Sequence, residues 1–108
     1  MRVGQITTRN VPIRLDMRTL PAIAHRMKLL RLTTGLSVAD FARETGVART
    51  MWHNIEAGFS RIGIDAAMKL CDKYHITLDW IYRGQDAMLP HGLAKRLLEV
   101  VVADKERD

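Results

Sequence analysis

A chain of 108 residues is long enough for one domain with a single hydrophobic core. Its hydrophobic fraction of 47% and charged fraction of 27% are those of an ordinary globular protein and argue against a disordered one. The net charge is +5 and is unevenly distributed: residues 1–34 carry +6, residues 35–84 are neutral and residues 85–108 carry −1. A basic excess favours anionic partners, most often nucleic acid.

The sequence also argues against a membrane or secreted protein. No apolar run approaches the ~20 residues that a membrane-spanning helix needs, so no membrane partner is expected. The N-terminal residues include arginines but no apolar stretch typical of a secretory signal. The single cysteine, Cys71, cannot form an internal disulfide, which fits a reducing compartment. We therefore expect a cytoplasmic protein.

Residues 1–18 are basic, with four arginines and one acidic residue, Asp16. This composition fits either an arm that contacts a phosphate backbone or a minor groove, or a solvated and poorly ordered terminus. Apolar residues alternate with other residues from Val11 to Met17, which is the period of a β-strand. Because the sequence offers no second strand, such a strand would pair with another copy of the chain.

A first helix is predicted to begin after Thr19, which can cap it, and to end at Gly35. The stretch from Leu36 to Gly58 then predicts two short helices joined by a tight turn. Ser37 can cap the first of these, and Gly46 can adopt the positive φ that the turn needs. A small residue, a glycine four positions later and a bulky apolar residue six positions beyond form a helix-turn-helix pattern. The residues that show it are Ala42, Gly46 and Trp52, with Phe41 and Ile55 also facing inward and Glu56 ending the second helix.

Two more helices are predicted at Ile64–Tyr74 and Leu78–Arg83, the first ending at a left-handed His75 and the second capped by Thr77. Facing the core we expect Ala67, Leu70, Cys71, Tyr74, Leu78 and Ile81, with Trp80 and Tyr82 at the rim.

A sixth helical pattern runs from Gly92 to about Lys105 and carries an apolar stripe. Two alternatives remain open for this stripe: it packs on its own domain, or it is the contact between two copies of the chain. The residues of the stripe are Leu93, Leu97, Val100 and Val101, widened by Leu98 and Val102.

The predicted fold is therefore all-α. A five-helix bundle with a helix-turn-helix occupies residues 19–84. It is preceded by the basic arm of residues 1–18 and followed by an extension, residues 85–108, that contains the sixth helix.

Residues 23–84 resemble the Cro/C1-type helix-turn-helix domain of the XRE family, which is found in phage repressors and bacterial regulators. The resemblance implies a lambda-repressor-like bundle whose third helix enters the DNA major groove. It also implies an internal ion pair between Arg31 and Glu56. The matching residues are Arg31, Leu36-Ser37, Phe41-Ala42, Gly46-Val47, Ile55-Glu56, Gly58 and Ile76 to Ile81, ending at Gly84.

By the same resemblance, the DNA-contacting residues lie at the start and on the outer face of the third helix. Val38, Ala48 and Trp52 differ from the usual family residues, and Ala48 replaces the Ser or Thr that commonly caps this helix. The residues implied for base and nearby phosphate contacts are Arg49, Thr50, His53 and Asn54, and those implied for phosphate contacts are Arg43, Ser60 and Arg61.

No catalytic or cofactor chemistry is expected. The four histidines are scattered without an i, i+4 pair, so neither a metal site nor a cofactor is predicted. No glycine-rich phosphate loop or nucleophile motif is present, and we expect no enzyme. Two functions remain: a transcriptional regulator that binds double-stranded DNA as a homodimer and acts by promoter occlusion, and an antitoxin-like or adaptor module that binds another protein.

Overall fold

The computed structural model describes residues 16–107, with side chains described through residue 105. The regular secondary structure in this part of the chain is all helical and includes no strand, which confirms the all-α prediction. The strand expected between Val11 and Met17 lies almost wholly outside the described residues; Met17 itself is in a turn. The six helices are α1 (Leu20–Thr34), α2 (Val38–Thr45), α3 (Arg49–Glu56), α4 (Ile64–Tyr74), α5 (Leu78–Arg83) and α6 (His91–Arg107).

Local signals in the sequence explain where most helices begin and end. The Thr19, Ser37 and Thr77 side chains each accept a hydrogen bond from the first turn of the helix that follows. Gly46, after α2, has φ 78°, a left-handed conformation that glycine adopts without steric cost. His75 is the only described non-glycine residue with positive φ, at 61°, and it ends α4 as predicted.

One core is formed by residues from every helix. α1 packs against α3, α5 and α6, whereas α2 packs against α3 and α4. The largest side chains with less than 2% exposure are Trp52, Phe41, Ile23, Met27, Leu30, Ile55, Ile62, Leu70 and Ile81.

The prediction for α5 was wrong in one respect. Trp80, expected at the rim, is only 5% exposed, whereas Leu78, expected to face the core, is 38% exposed. Trp80 and Ile81 supply the buried face of α5, and Ile76, which lies just before the capping residue Thr77, is buried in the same core. A six-residue helix has too few turns for its apolar spacing to identify the buried face uniquely.

The apolar stripe of α6 is divided between the core and the surface. Leu93 and Leu97 are buried where α6 packs against α1, whereas Leu98 and Val102 are 69% and 53% exposed. The helix thus packs on its own domain and still presents apolar side chains outward. No helix among residues 16–107 is both long enough and apolar enough to cross a membrane.

Candidate nucleic-acid interface

A tight turn joins α2 to α3. The amides of Gly46 and Val47 both donate to the carbonyl oxygen of Ala42, at 2.9 and 3.1 Å. Ala42 is buried, and its small side chain lets the two helices approach each other. The turn therefore fixes the start of α3, at Arg49, relative to the rest of the bundle.

The inner face of α3 is anchored by two fully buried side chains, Trp52 and Ile55. The rings of Trp52 and Phe41 lie 4.7 Å apart between centroids and are tilted by 39°. This tilted aromatic pair joins α3 to α2. The outer face of α3 is consequently held at a fixed orientation toward solvent.

A buried charge network ties α3 to α1. Arg31 forms a bidentate ion pair with Glu56, with Nε–Oε2 at 2.6 Å and Nη2–Oε1 at 3.0 Å. Both side chains are less than 15% exposed. The third guanidinium nitrogen of Arg31, Nη1, donates a hydrogen bond to the carbonyl oxygen of Leu36 at 2.9 Å. Sequence reasoning missed a further contact: the Trp52 indole N–H donates to Glu56 Oε2 at 2.5 Å. The i, i+4 spacing of Trp52 and Glu56 is the signal that could have revealed it.

The outer face of α3 presents the residues implied for DNA contact. Arg49, Thr50 and His53 are exposed, and Asn54 is partly exposed. Arg49 and His53 are four residues apart, as are Thr50 and Asn54, so the four side chains form two adjacent rows on one side of the helix. The structure thus gathers all four into one polar surface.

The loop after α3 carries Ser60 and Arg61, both exposed. The amides of Gly58 and Phe59 bond back to Ile55 and Asn54 carbonyls, a Schellman ending that turns the chain sharply out of α3. Arg61 Nη1 donates to the carbonyl of Arg18 at 3.2 Å, so the loop also holds the chain just before α1.

A tyrosine fixes the far side of this loop. The Tyr82 hydroxyl donates to the carbonyl of Ile62 at 2.7 Å. Burial raises the pKa of Tyr82, so its phenol remains a hydrogen-bond donor at neutral pH. Arg61, one residue before Ile62, is therefore attached to a rigid backbone.

Two basic residues lie beside the turn between α2 and α3. Arg43, implied for phosphate contact, is exposed and pairs with Asp40 one turn earlier in α2. Lys69 of α4 was not predicted, yet its Nζ donates to the carbonyl of Gly46 at 2.9 Å. No local pattern could have shown this contact, because the two residues are 23 positions apart.

The geometry described here is that of a DNA-binding helix-turn-helix domain. Two short helices are joined at a glycine turn, and the second helix has a buried apolar inner face and an exposed polar outer face. A family model described as "helix-turn-helix domain" matches residues 22–80, more than half of the chain. The chain belongs to this family, whose domain binds DNA and is typical of transcription regulation. Comparisons with curated proteins and with solved structures give no significant match.

Proposed function

We propose that the protein is a transcriptional regulator of the XRE family, Cro/C1 type, that inserts α3 into the major groove of operator DNA. The observation that carries the proposal is the two-sided character of α3. Trp52 and Ile55 fix its inner face, while the outer face presents Arg49 and Asn54, two side chains suited to base recognition.

The side chains on this face match the edges of bases. An arginine such as Arg49 can donate two hydrogen bonds to guanine O6 and N7, and an asparagine such as Asn54 can pair with adenine N6 and N7. The methyl group of Thr50 suits contact with a thymine methyl. Each good bidentate contact discriminates between bases by about 1–3 kcal/mol.

Phosphate contacts complete the proposed interface. Arg43, Ser60 and Arg61 flank α3 and are exposed, so they can contact the backbone on either side of the groove. Residues 35–84 carry no net charge, however, whereas residues 1–34 carry +6. We therefore assign much of the sequence-independent affinity to residues 1–34, because phosphate contacts dominate nonspecific binding.

We further propose that two copies act together on two half-sites. A single eight-residue helix contacts only a few base pairs. Two such helices on one face of the duplex, separated by about one turn of the DNA or a multiple of it, contact enough base pairs to define an operator. Occupancy of a promoter by such a dimer would repress transcription by occlusion.

Selection of bound duplexes from a random DNA pool tests this function. We expect an enriched sequence with two related half-sites. In competition against random DNA, Arg49→Ala and Asn54→Ala should each weaken binding to the selected duplex about 5–150-fold, the factor for a lost bidentate contact, with a smaller loss on random DNA.

The matched control is Arg83→Ala, which removes an exposed arginine of α5 and leaves α3 intact. It should leave the ratio of specific to random binding unchanged. An equal loss on both DNAs for Arg49→Ala and Asn54→Ala would show that α3 reads no sequence.

The alternative is an antitoxin-like or adaptor module that binds another protein. The observation that favours it is the pair of exposed apolar side chains on α6, Leu98 and Val102. Recovery of a stable complex with a second protein, together with no salt-dependent retention on DNA, would establish this alternative and reject the first.

A further inference from the structure

An aromatic side chain, Phe59, extends into solvent just beyond the end of α3. It is 76% exposed, whereas every other phenylalanine, tyrosine and tryptophan of the chain is buried or half-buried. Covering an aromatic ring removes a large apolar area from water. This position therefore favours a partner that can place an apolar group against the ring.

The backbone that carries Phe59 is fixed at both ends of its loop. The amide of Phe59 donates to the carbonyl oxygen of Asn54 at 3.0 Å, and Gly58, at φ 81°, provides the left-handed turn just before it. At the far end of the loop, Ile62 is buried and its carbonyl accepts a hydrogen bond from the Tyr82 hydroxyl at 2.7 Å. Because the loop is already ordered, little backbone entropy is lost when the ring contacts a partner.

The hydrogen bond to Asn54 also places Phe59 at the end of the surface proposed to contact bases. Thr50 and Asn54 form one of the two rows of that surface, and the backbone at Phe59 lies against the Asn54 end of this row. The two residues that follow, Ser60 and Arg61, are exposed and are proposed phosphate contacts. Phe59 thus lies along the chain between proposed base contacts and proposed phosphate contacts.

DNA fits this side chain better than a protein surface does. Phe59 is the only large apolar residue from Glu56 to Arg61, whereas an apolar docking surface for a protein is a contiguous patch. The apolar group that the major groove offers is the methyl group of thymine, and phenylalanine is among the side chains that contact it.

We propose that Phe59 contacts a thymine methyl group in the major groove, beside the base contacted by Asn54. The contact adds a thymine to the sequence that α3 recognises. This inference rests on the proposed function, because it requires α3 to lie in the groove.

Fluorescence anisotropy of the selected duplex, titrated with the full chain at constant salt, tests the proposal by one chemical change in the DNA. Each thymine of the half-sites is replaced in turn by uracil, which lacks only the methyl group. We expect one replacement to weaken binding of the wild-type chain about fourfold, the factor for one buried carbon, and to leave binding of Phe59→Ala unchanged. On the thymine duplex, Phe59→Ala should bind about tenfold more weakly than the wild-type chain. Phe59→Leu keeps an apolar side chain and should retain the effect of the methyl group.

Two control variants accompany this measurement. Met88→Ala removes an equally exposed apolar side chain from the segment between α5 and α6, and it should change neither the affinity nor the effect of the methyl group. Thr50→Ser should leave the same uracil effect in place, which distinguishes the methyl group at Phe59 from one contacted by Thr50. Phe59→Ala should unfold at the wild-type temperature, because the ring that it removes is exposed.

Three results would overturn the proposal: selected half-sites without thymine, no uracil replacement whose effect Phe59→Ala removes, or a shift of Phe59→Ala toward monomer in sedimentation velocity without DNA. The last result would assign the ring to the contact between two copies of the chain. Arg49→Ala, measured on the same duplexes, separates this proposal from the function on which it rests. Weakened binding by Arg49→Ala with full affinity of Phe59→Ala would reject the Phe59 contact alone, whereas the absence of any enriched sequence would reject both.

Discussion

At the scale of single residues, the orientation of α3 depends on Glu56. Its two carboxylate oxygens accept three hydrogen bonds, two from Arg31 and one from the Trp52 indole. Arg31 in turn holds the carbonyl of Leu36, just before α2 begins. One carboxylate thus connects α1, the entry to α2 and the inner face of α3.

We predict that Glu56→Gln lowers the free energy of unfolding by about 3–5 kcal/mol, because it leaves the Arg31 guanidinium largely buried without its counter-charge. Urea or thermal unfolding followed by circular dichroism measures this change. The matched control is Arg83→Met, which breaks the exposed ion pair with Asp79 and should cost at most ~1 kcal/mol. Similar losses of unfolding free energy for the two variants would show that the buried Arg31–Glu56 pair stabilises the domain no more than an exposed ion pair does.

The sequence could predict which side chains of α3 are exposed, but it could not predict the long-range contacts of basic side chains. Outward placement of Arg49 and Thr50 follows from helical spacing once Trp52 and Ile55 are taken as the inner face. The contacts of Arg26 and Lys69 could not be predicted, because their acceptors are carbonyls far away in the sequence: Ile81 lies 55 positions from Arg26. Backbone acceptors exist at every residue, so composition does not identify which one a long basic side chain will reach.

At the scale of elements, α3 begins without a side-chain cap. Ala48 has the extended conformation of an N-cap, φ −60° and ψ 138°, but carries no oxygen that could accept a hydrogen bond from the first turn. The helices capped by Thr19, Ser37 and Thr77 do have this bond. The helix that carries the proposed contacts therefore lacks the capping bond that stabilises the first turns of α1, α2 and α5.

We predict that Ala48→Ser stabilises the domain by about 1 kcal/mol, because the serine hydroxyl can accept from the free first-turn amides at a residue already in the required conformation. Thermal unfolding measures the gain as a rise in melting temperature. Ala57→Ser, at the other end of α3, is the control and should give no rise. No stabilisation by Ala48→Ser would mean that the first turn of α3 does not use the added acceptor.

The positions of the helices could be predicted closely from the local sequence. Which face of a short or terminal helix is buried could not. Caps and glycines mark the ends of α1, α2 and α5, and these signals act within a few residues. The buried face of α5 and the split stripe of α6 are decided by tertiary packing, which no local pattern contains. The sequence left the alternatives for α6 open, and packing against α1 uses only part of its apolar surface.

At the scale of the whole molecule, the proposed recognition of two half-sites needs two copies of the chain on DNA. We assign this association to the exposed apolar side chains of α6, since Leu98 and Val102 lie one turn apart and point outward while Leu93 and Leu97 are buried. Burying such side chains between two copies would contribute about 25 cal/mol per Å² of apolar area.

We predict that Leu98→Glu shifts the protein from dimer to monomer in sedimentation velocity and weakens binding to a two-half-site duplex at least tenfold. The change leaves the monomer folded, because Leu98 is 69% exposed. Lys95→Glu also introduces a glutamate at an exposed position of α6, and it is the control for added negative charge. An unaltered dimer in Leu98→Glu would place the contact between copies elsewhere.

The proposed function requires that the outer face of α3 lies against DNA bases. The most direct measurement is a nuclear magnetic resonance titration of the ¹⁵N-labelled full chain with the duplex selected from the random pool. We expect the largest shifts of backbone and side-chain signals at Arg49, Thr50, His53 and Asn54, with smaller shifts at Arg43 and Arg61. Shifts concentrated on α6, with those four residues unchanged, would contradict it.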